Sequence, residues 1–215
     1  MKPSAKNPVG RPREFDEDKV LDAAMDIFWL QGYESTSMAD LLAATGLHKG
    51  SLYQAFGDKH SLFIQALRRY MDRFRQDMAA EIDAAESGLE ELRIILNVSI
   101  GKGCHGTVGN SGCLALNTLA DKGTEDPAIL ATLQEGYGKR LQMITSAVTR
   151  AQAEGSLRSD WTAQRIATMV NVMSAGVVTT LRGPLDMEMA RGLVDDFLDT
   201  ISLAPKKPAP AEANG

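Results

Sequence analysis

The stretch from Ser37 to Phe56, SMADLLAATGLHKGSLYQAF, limits the possible folds of this chain more than any other. Its spacing predicts two short helices joined by a tight turn. In the first, Met38, Leu41, Leu42 and Thr45 recur at the i, i+3, i+4, i+7 spacing of one buried helix face. Ser37 and Asp40 have the form of a capping box, where hydroxyl and carboxylate each satisfy an orphan backbone N–H. Gly46 supplies the left-handed conformation that stops a helix. Leu47 plugs the turn, and His48 or Lys49 opens the second helix, whose Leu52 and Phe56 share the inward face. By phase Gly50 and Gln54 then point outward, with Ser51 and Tyr53 on the flanks and Lys49 in the first turn.

An outward face that is small, polar and cationic near its N-terminus suits a recognition helix in a major groove. Glutamine pairs bidentately with adenine, and lysine contacts guanine or a phosphate. Tyr53 and Lys59 suit phosphate contacts, which position a protein without reading sequence.

Around this stretch stand Ala23-Ala24 with Phe28, Gly32-Tyr33, Thr36-Ser37-Met38, Thr45-Gly46-Leu47, Lys49-Gly50-Ser51-Leu52-Tyr53, Phe56, Asp58-Lys59 and Leu62-Phe63. With these, Lys19 to Phe63 resembles the DNA-binding domain of the TetR family of bacterial transcriptional regulators. Two positions depart from that pattern. His48 stands where the family usually has a small hydroxyl cap, and Ala55 where histidine is common. The residues expected at double-stranded operator DNA are Arg11, Arg13, Thr36, Ser37, Lys49, Gly50, Ser51, Tyr53, Gln54 and Lys59.

A net charge of −5 weighs against a non-specific nucleic-acid binder. The positive charge is instead localised: Lys2, Lys6, Arg11 and Arg13 all precede the first acidic residue, Glu14. Residues 1–14 carry three prolines and no periodicity, so a flexible basic arm is expected. Such an arm reaches a minor groove or the backbone, or merely keeps the chain soluble; both readings stand. No apolar run is long enough for a membrane and no secretory pattern is present, so the expectation is a cytoplasmic protein. Two cysteines, Cys104 and Cys113, make no disulfide framework.

The remaining periodicity is helical throughout. Asp16 caps a first helix with Val20, Ala24, Ile27 and Phe28 inward, ending at Gly32. Gly57-Asp58 separates the recognition helix from a long one carrying Phe63, Ala66, Leu67, Tyr70 and Phe74, to about Ala84. Its Arg68, Arg69, Arg73 and Arg75 are interleaved with Asp72, Asp77 and Glu81, which favours a solvated face over a phosphate site. After Ser87-Gly88 comes a helix with Leu92, Ile95, Leu96 and Ser99, then an irregular glycine-rich stretch from Gly101 to Gly112. A helix resumes through Cys113, Leu114, Leu116 and Leu119 and closes near Lys122-Gly123. Pro127 opens a long helix with Ile129, Leu133, Leu141, Ile144 and Val148 inward. From Trp161 to Arg182 the chain is apolar on nearly every side, which requires cover on every side. Gly183-Pro184 precedes a last helix with Ala190, Leu193, Val194, Phe197, Leu198 and Ile201.

The expected fold is all-α: an N-terminal three-helix bundle with a helix-turn-helix, plus a larger helical C-terminal dimerisation and effector domain. The expected boundaries are 1–14 for the basic arm, 15–60 for the DNA-binding domain, 61–203 for the C-terminal domain and 204–215 for a disordered tail. Two apolar helices at the end imply a second copy, and the resemblance implies a four-helix bundle across a two-fold axis; a two-fold protein matches a two-fold operator.

Three chemistries compete in the C-terminal part. Gly112-Cys113-Leu114-Ala115-Leu116-Asn117 resembles a segment of an AcrR-like subgroup in which some members sense electrophiles or oxidants, so Cys113 or Cys104 is a sensor candidate. The alternative is that both thiols are small core hydrophobes. The resemblance also implies an unknown small-molecule effector among the middle helices, where Tyr137, Met143, Met169, Met173 and Trp161 can line a cavity or simply fill a core. Cys104-His105 with Cys113 lacks a fourth ligand and fits no zinc spacing, so no metal and no cofactor is expected. Three histidines and no phosphate-binding glycine pattern on a strand leave no enzyme reading. The expectation is a homodimeric regulator, a repressor released from a palindromic operator by an effector. The rivals are a thiol sensor and an all-α ligand-binding protein without operator binding.

Overall fold

The computed structural model describes residues 15–105 (side chains up to 101), 111–122 and 125–203. The basic arm with Arg11 and Arg13, the side chain of Cys104 and the tail from 204 lie outside the described residues. Nine helices follow one another among those described: α1 Glu17–Gln31, α2 Met38–Thr45, α3 Lys49–Phe56, α4 Lys59–Asp83, α5 Gly88–His105, α6 Leu114–Asp121, α7 Pro127–Ala153, α8 Ala163–Thr180 and α9 Met187–Ile201. The only β pairing there is an isolated bridge between Leu157 and Ser202, so the fold is all-α.

Local chemistry sets the helix limits. Asp16 accepts from the amides of Asp18 and Lys19, Asp58 from Ser61, Asp126 from Ala128 and Ile129, Thr162 from Arg165, and Asp186 from Met189. Each satisfies donors that the first turn leaves unpaired. The capping box of Ser37 and Asp40 is complete, and Gly46 ends α2 at φ 68°, a conformation that costs a side-chain-bearing residue more. The stretch from Gly101 is less irregular than its composition suggests, because α5 continues to His105. Packing of α5 against α7 and α8 overrides the weak local preference of its glycines.

Two apolar clusters hold the helices. The N-terminal one joins Val20, Ala24, Met25, Phe28 and Trp29 of α1 to Leu41, Leu52, Phe56 and the first half of α4. It also takes in Leu114 of α6 and Ile129 and Leu133 of α7, so the helix-turn-helix rests on C-terminal elements. Met25 and Trp29 are buried where the first-helix stripe predicts Ile27, which is half-buried. The stripe is rotated because Trp29 turns its indole N–H to the carbonyl of Gly112. The second cluster joins α5, α7, α8 and α9 through Ile95, Ile144, Val148, Val170, Val194 and Leu198 among others. At their crossing, a Cβ on Gly88 would lie 2.4 Å from the backbone nitrogen of Ala151, so only glycine lets α5 start there. No helix among the described residues is long and apolar enough to cross a membrane.

Candidate functional site

Helix α3 is anchored by Leu52 and Phe56, both essentially inaccessible, against a cluster in which the Phe28 and Phe63 rings meet edge to face at 4.9 Å. That anchor turns Lys49, Gly50, Tyr53 and Gln54 outward, with Ser51 half-buried beside them. A Cβ on Gly50 would meet nothing within 4 Å, so the middle of this face is open to close approach by another molecule. Lys49 Nζ lies 5.7 Å from the Tyr53 ring centroid, a loose cation–π pair that leaves the ammonium in solvent. His48 occupies the N-cap without a side-chain hydrogen bond. The first-turn amides are therefore unmet by any cap, and a helix N-terminus in that condition favours an anion.

Other residues expected at DNA are placed differently. Thr36 is fully buried and its hydroxyl donates to the carbonyl of Gly32 at 2.6 Å, closing the turn between α1 and α2; its side chain presents nothing to DNA. Ser37 is exposed, yet its hydroxyl donates to Asp40 Oδ2 at 2.6 Å and accepts the Asp40 amide at 3.2 Å, so the cap consumes it. Lys59 Nζ sits 4.6 Å over the Tyr33 ring and donates to the Glu34 carbonyl. Three of the four arginines of α4, Arg69, Arg73 and Arg75, face carboxylates. Arg69 Nε and Nη2 donate to Asp22 at 2.6 and 2.9 Å and Nη1 to Asp18 at 2.7 Å, while Arg75 pairs with Asp72. The fork from Arg69 holds the Asp22 carboxyl below its ordinary pKa range and clasps α1 to α4.

A cavity of about 210 Å³ opens between α4, α5, α6, α7 and α8. Cys113, Tyr137 and Met143 line it; Met169, Met173 and Trp161 do not. Met173 packs into the C-terminal core, and the Trp161 ring lies between the guanidinium groups of Arg158 and Arg165, at 3.9 and 4.4 Å. The residue that sequence reading missed is Arg140, on the cavity wall. Its Nε donates to Asn171 Oδ1 at 2.8 Å, and its Nη2 to the hydroxyls of Ser99 and Ser174 at 3.1 and 3.2 Å. Burial lowers its pKa, with Cys113 and Tyr70 opposing that effect. The signal was present in the sequence: Arg140 stands seven residues after Leu133 and four before Ile144, a cation on the inward stripe of α7.

The cavity wall also touches the connections to α1. Tyr70 donates its phenol to Cys113 Sγ at 3.4 Å, and burial pushes that phenol well above its ordinary pKa. The Tyr70 ring stands edge-on to Trp29 at 5.0 Å, and Trp29 Nε1 donates to Gly112 O at 2.9 Å. Gly112, at φ 71°, leaves no room for a Cβ beside Arg182. Two further ties cross the same boundary, His60 Nε2 to Asp126 Oδ2 at 2.7 Å and Lys122 Nζ to Glu34 Oε1 at 2.8 Å.

Residues 20–66 match the family of bacterial regulatory proteins described as the tetR family, and residues 88–188 match the tetracyclin repressor-like C-terminal domain. The HTH-type transcriptional repressor ComR of Escherichia coli is 30% identical over 179 residues, covering 83% of this chain and 85% of that protein. The HTH-type regulator YezE of Bacillus subtilis is 27% identical over 195 residues, covering 90% of this chain and all of that protein. Among solved structures, a cysteine mutant of the TetR family transcriptional regulator CifR complexed with 26bp double-strand operator DNA superposes with a TM-score of 0.77. It is 28% identical and covers 89% of this chain and 100% of its own. The open α3 face, the all-helical frame and these matches agree: this chain belongs to the TetR family of bacterial transcriptional regulators.

Proposed function

We propose that this chain is a homodimeric repressor that binds a two-fold operator through α3 and is released when a small effector fills the cavity between α4 and α8. The observation that carries the reading is the α3 face itself. Lys49, Gly50, Tyr53 and Gln54 stand exposed on a rigidly anchored helix, with none of the described residues over Gly50. Tyr53 and the first-turn amides serve phosphates, while Gln54 and Lys49 serve base edges. Ser51 flanks them. ComR is a transcriptional repressor and the CifR structure contains operator DNA, which supports the same assignment here.

The second copy is drawn to α8 and α9, whose outward sides carry Val172, 63% exposed, with Met189 and Leu193. Exposed apolar side chains on two neighbouring terminal helices favour an isologous contact. We assign residues 15–60 to DNA binding and 61–203 to dimerisation and the effector, with 1–14 as a basic arm and 204–215 as a tail. Such a regulator works where the chromosome is, in the cytoplasm.

A footprint on the DNA upstream of the protein's own gene tests the reading. The expected result is two protected half-sites about one helical turn, roughly 34–36 Å, or a multiple of it apart. No protection at any concentration that saturates a repressor would leave an all-α ligand-binding protein.

Cys113 favours a second reading. It is half-exposed on the cavity wall, holds a hydrogen bond from Tyr70 and adjoins the Gly112 carbonyl that Trp29 grips. Its segment is also the ground for an AcrR-like placement within the family. In this reading an oxidant or electrophile modifies Cys113, or Cys104, and disturbs α1 through Trp29. Operator binding by fluorescence anisotropy, abolished by a mild oxidant and protected by Cys113→Ser or Cys104→Ser, is the result expected of a thiol sensor. Indifference to the oxidant leaves the conventional effector.

A further inference from the structure

Arg140 is a cation set into a protein wall with no anion to meet it. Its three hydrogen-bond acceptors, Asn171, Ser99 and Ser174, are neutral, and no carboxylate among the described residues pairs with it. They orient the guanidinium without neutralising it, and its carbon lies over the ring of Phe74, 5.5 Å from the centroid. Guanidinium does not shed its proton in a protein, so its charge remains whatever the surroundings. Nη1 donates to no group among the described residues, and the head lines the cavity. Of the other cations on the wall, Arg75 pairs with Asp72 and Lys139 with Glu135, while Arg68 is exposed to solvent. The rest of the wall is mainly apolar, with Leu116, Leu133 and Met143 beside the Tyr70 and Phe74 rings. A lone fixed cation in a small apolar chamber is complementary to one negative charge on an apolar body.

We propose that this cavity binds a small organic monocarboxylate, whose carboxylate takes Arg140 as its counter-ion while its hydrocarbon part fills the apolar wall. The proposal rests on the reading of this cavity as the effector site and names the class of effector. A carboxylate suits the site better than a phosphate, since the guanidinium offers a single charge and only the N–H bonds of Nη1 are left to donate. The cavity, at about 210 Å³, lies below the usual range for drug-sized ligands and sets the size of the molecule.

The test uses the full chain, with benzoate and hexanoate as probes and benzamide and hexanol as their neutral counterparts. Binding is read by calorimetry and thermal shift, and operator release by anisotropy. We expect saturable binding of a carboxylate, no comparable binding of its neutral counterpart, and affinity reduced roughly tenfold to a hundredfold by Arg140→Met. Should Arg140→Met not fold, Arg140→Lys keeps the charge, loses the fork and is expected to weaken carboxylate binding while remaining folded. Neutral counterparts binding as well as the acids would overturn the proposal, as would carboxylate affinity unchanged in both variants. So would a wild-type protein that binds neither acid. Carboxylate binding without operator release supports the anion site and removes the effector reading. Release by the neutral compounds, unaffected at Arg140, supports the effector reading and overturns the carboxylate.

Discussion

The outward face of α3 and the wall of the cavity both present a cation that no carboxylate among the described residues meets, and they do so in opposite media. Lys49 stands in water, which solvates its charge at no cost until DNA replaces the water. Arg140 has lost most of its water and keeps only oriented neutral groups. The exposed cation supplies affinity that fades with salt, because its gain comes from displaced counterions. The enclosed one supplies selectivity, because desolvation has already raised the energy of its unmatched state. One side-chain property therefore serves two tasks, and depth in the fold decides which.

The sharpest way to break this comparison is to ask whether the α3 face works from a single copy. Val172→Asp with Leu193→Asp places charge on the proposed dimer face; sedimentation should show monomers, and operator binding should be lost. A double variant that stays dimeric would move the interface elsewhere. Next is the tie between the two regions. Trp29→Phe removes the donor to Gly112 O and should destabilise the protein by about 1–3 kcal/mol, since a buried carbonyl loses its partner. Chemical denaturation measures this, and an unchanged midpoint would mean water replaces the indole.

Within the α3 face, Gln54→Ala should relax sequence preference by about 1–3 kcal/mol, whereas Tyr53→Ala should weaken operator and random DNA alike. Equal losses on both DNAs for both variants would sink that division of roles. The smallest effect is expected at the clasp between α1 and α4. Asp22 has a folded pKa below its unfolded value of about 3.9, so the stability it adds is present above that pH and is lost as pH falls through the lower folded value. Asp22→Asn should cost about 1 kcal/mol near neutrality and flatten the acid side of the stability curve. A variant whose melting temperature follows the wild type down to pH 3 would show that the pair carries no net stability.

The two regions also differ in how far they can be read from residues alone. Helices α2 and α3 were legible to within a residue, because the capping box and Gly46 of α2, and Gly57 and the pair Leu52–Phe56 of α3, are all local signals within a few residues. Thr36, expected at DNA, is buried with its hydroxyl on the Gly32 carbonyl four residues back, because the turn after α1 folds that side chain inward. Met143 reached the cavity with Tyr137 while Met169 and Met173 did not, though the three methionines share the same chemistry. The helical phase that separates them is set by how α7 and α8 rotate against α5.

By itself the sequence determined that the chain is all-helical, where its N-terminal helices start and stop, and which side of α3 faces out. Those properties follow from caps, breakers and periods that span a turn or two of helix. Only the tertiary structure decided that Arg140 meets Asn171, Ser99 and Ser174 across three helices, and that Trp29 grips Gly112 across 83 positions of chain. No local preference encodes such meetings. They arise when helices already formed choose the one packing that buries their apolar stripes together, and the polar groups caught between them must then satisfy one another.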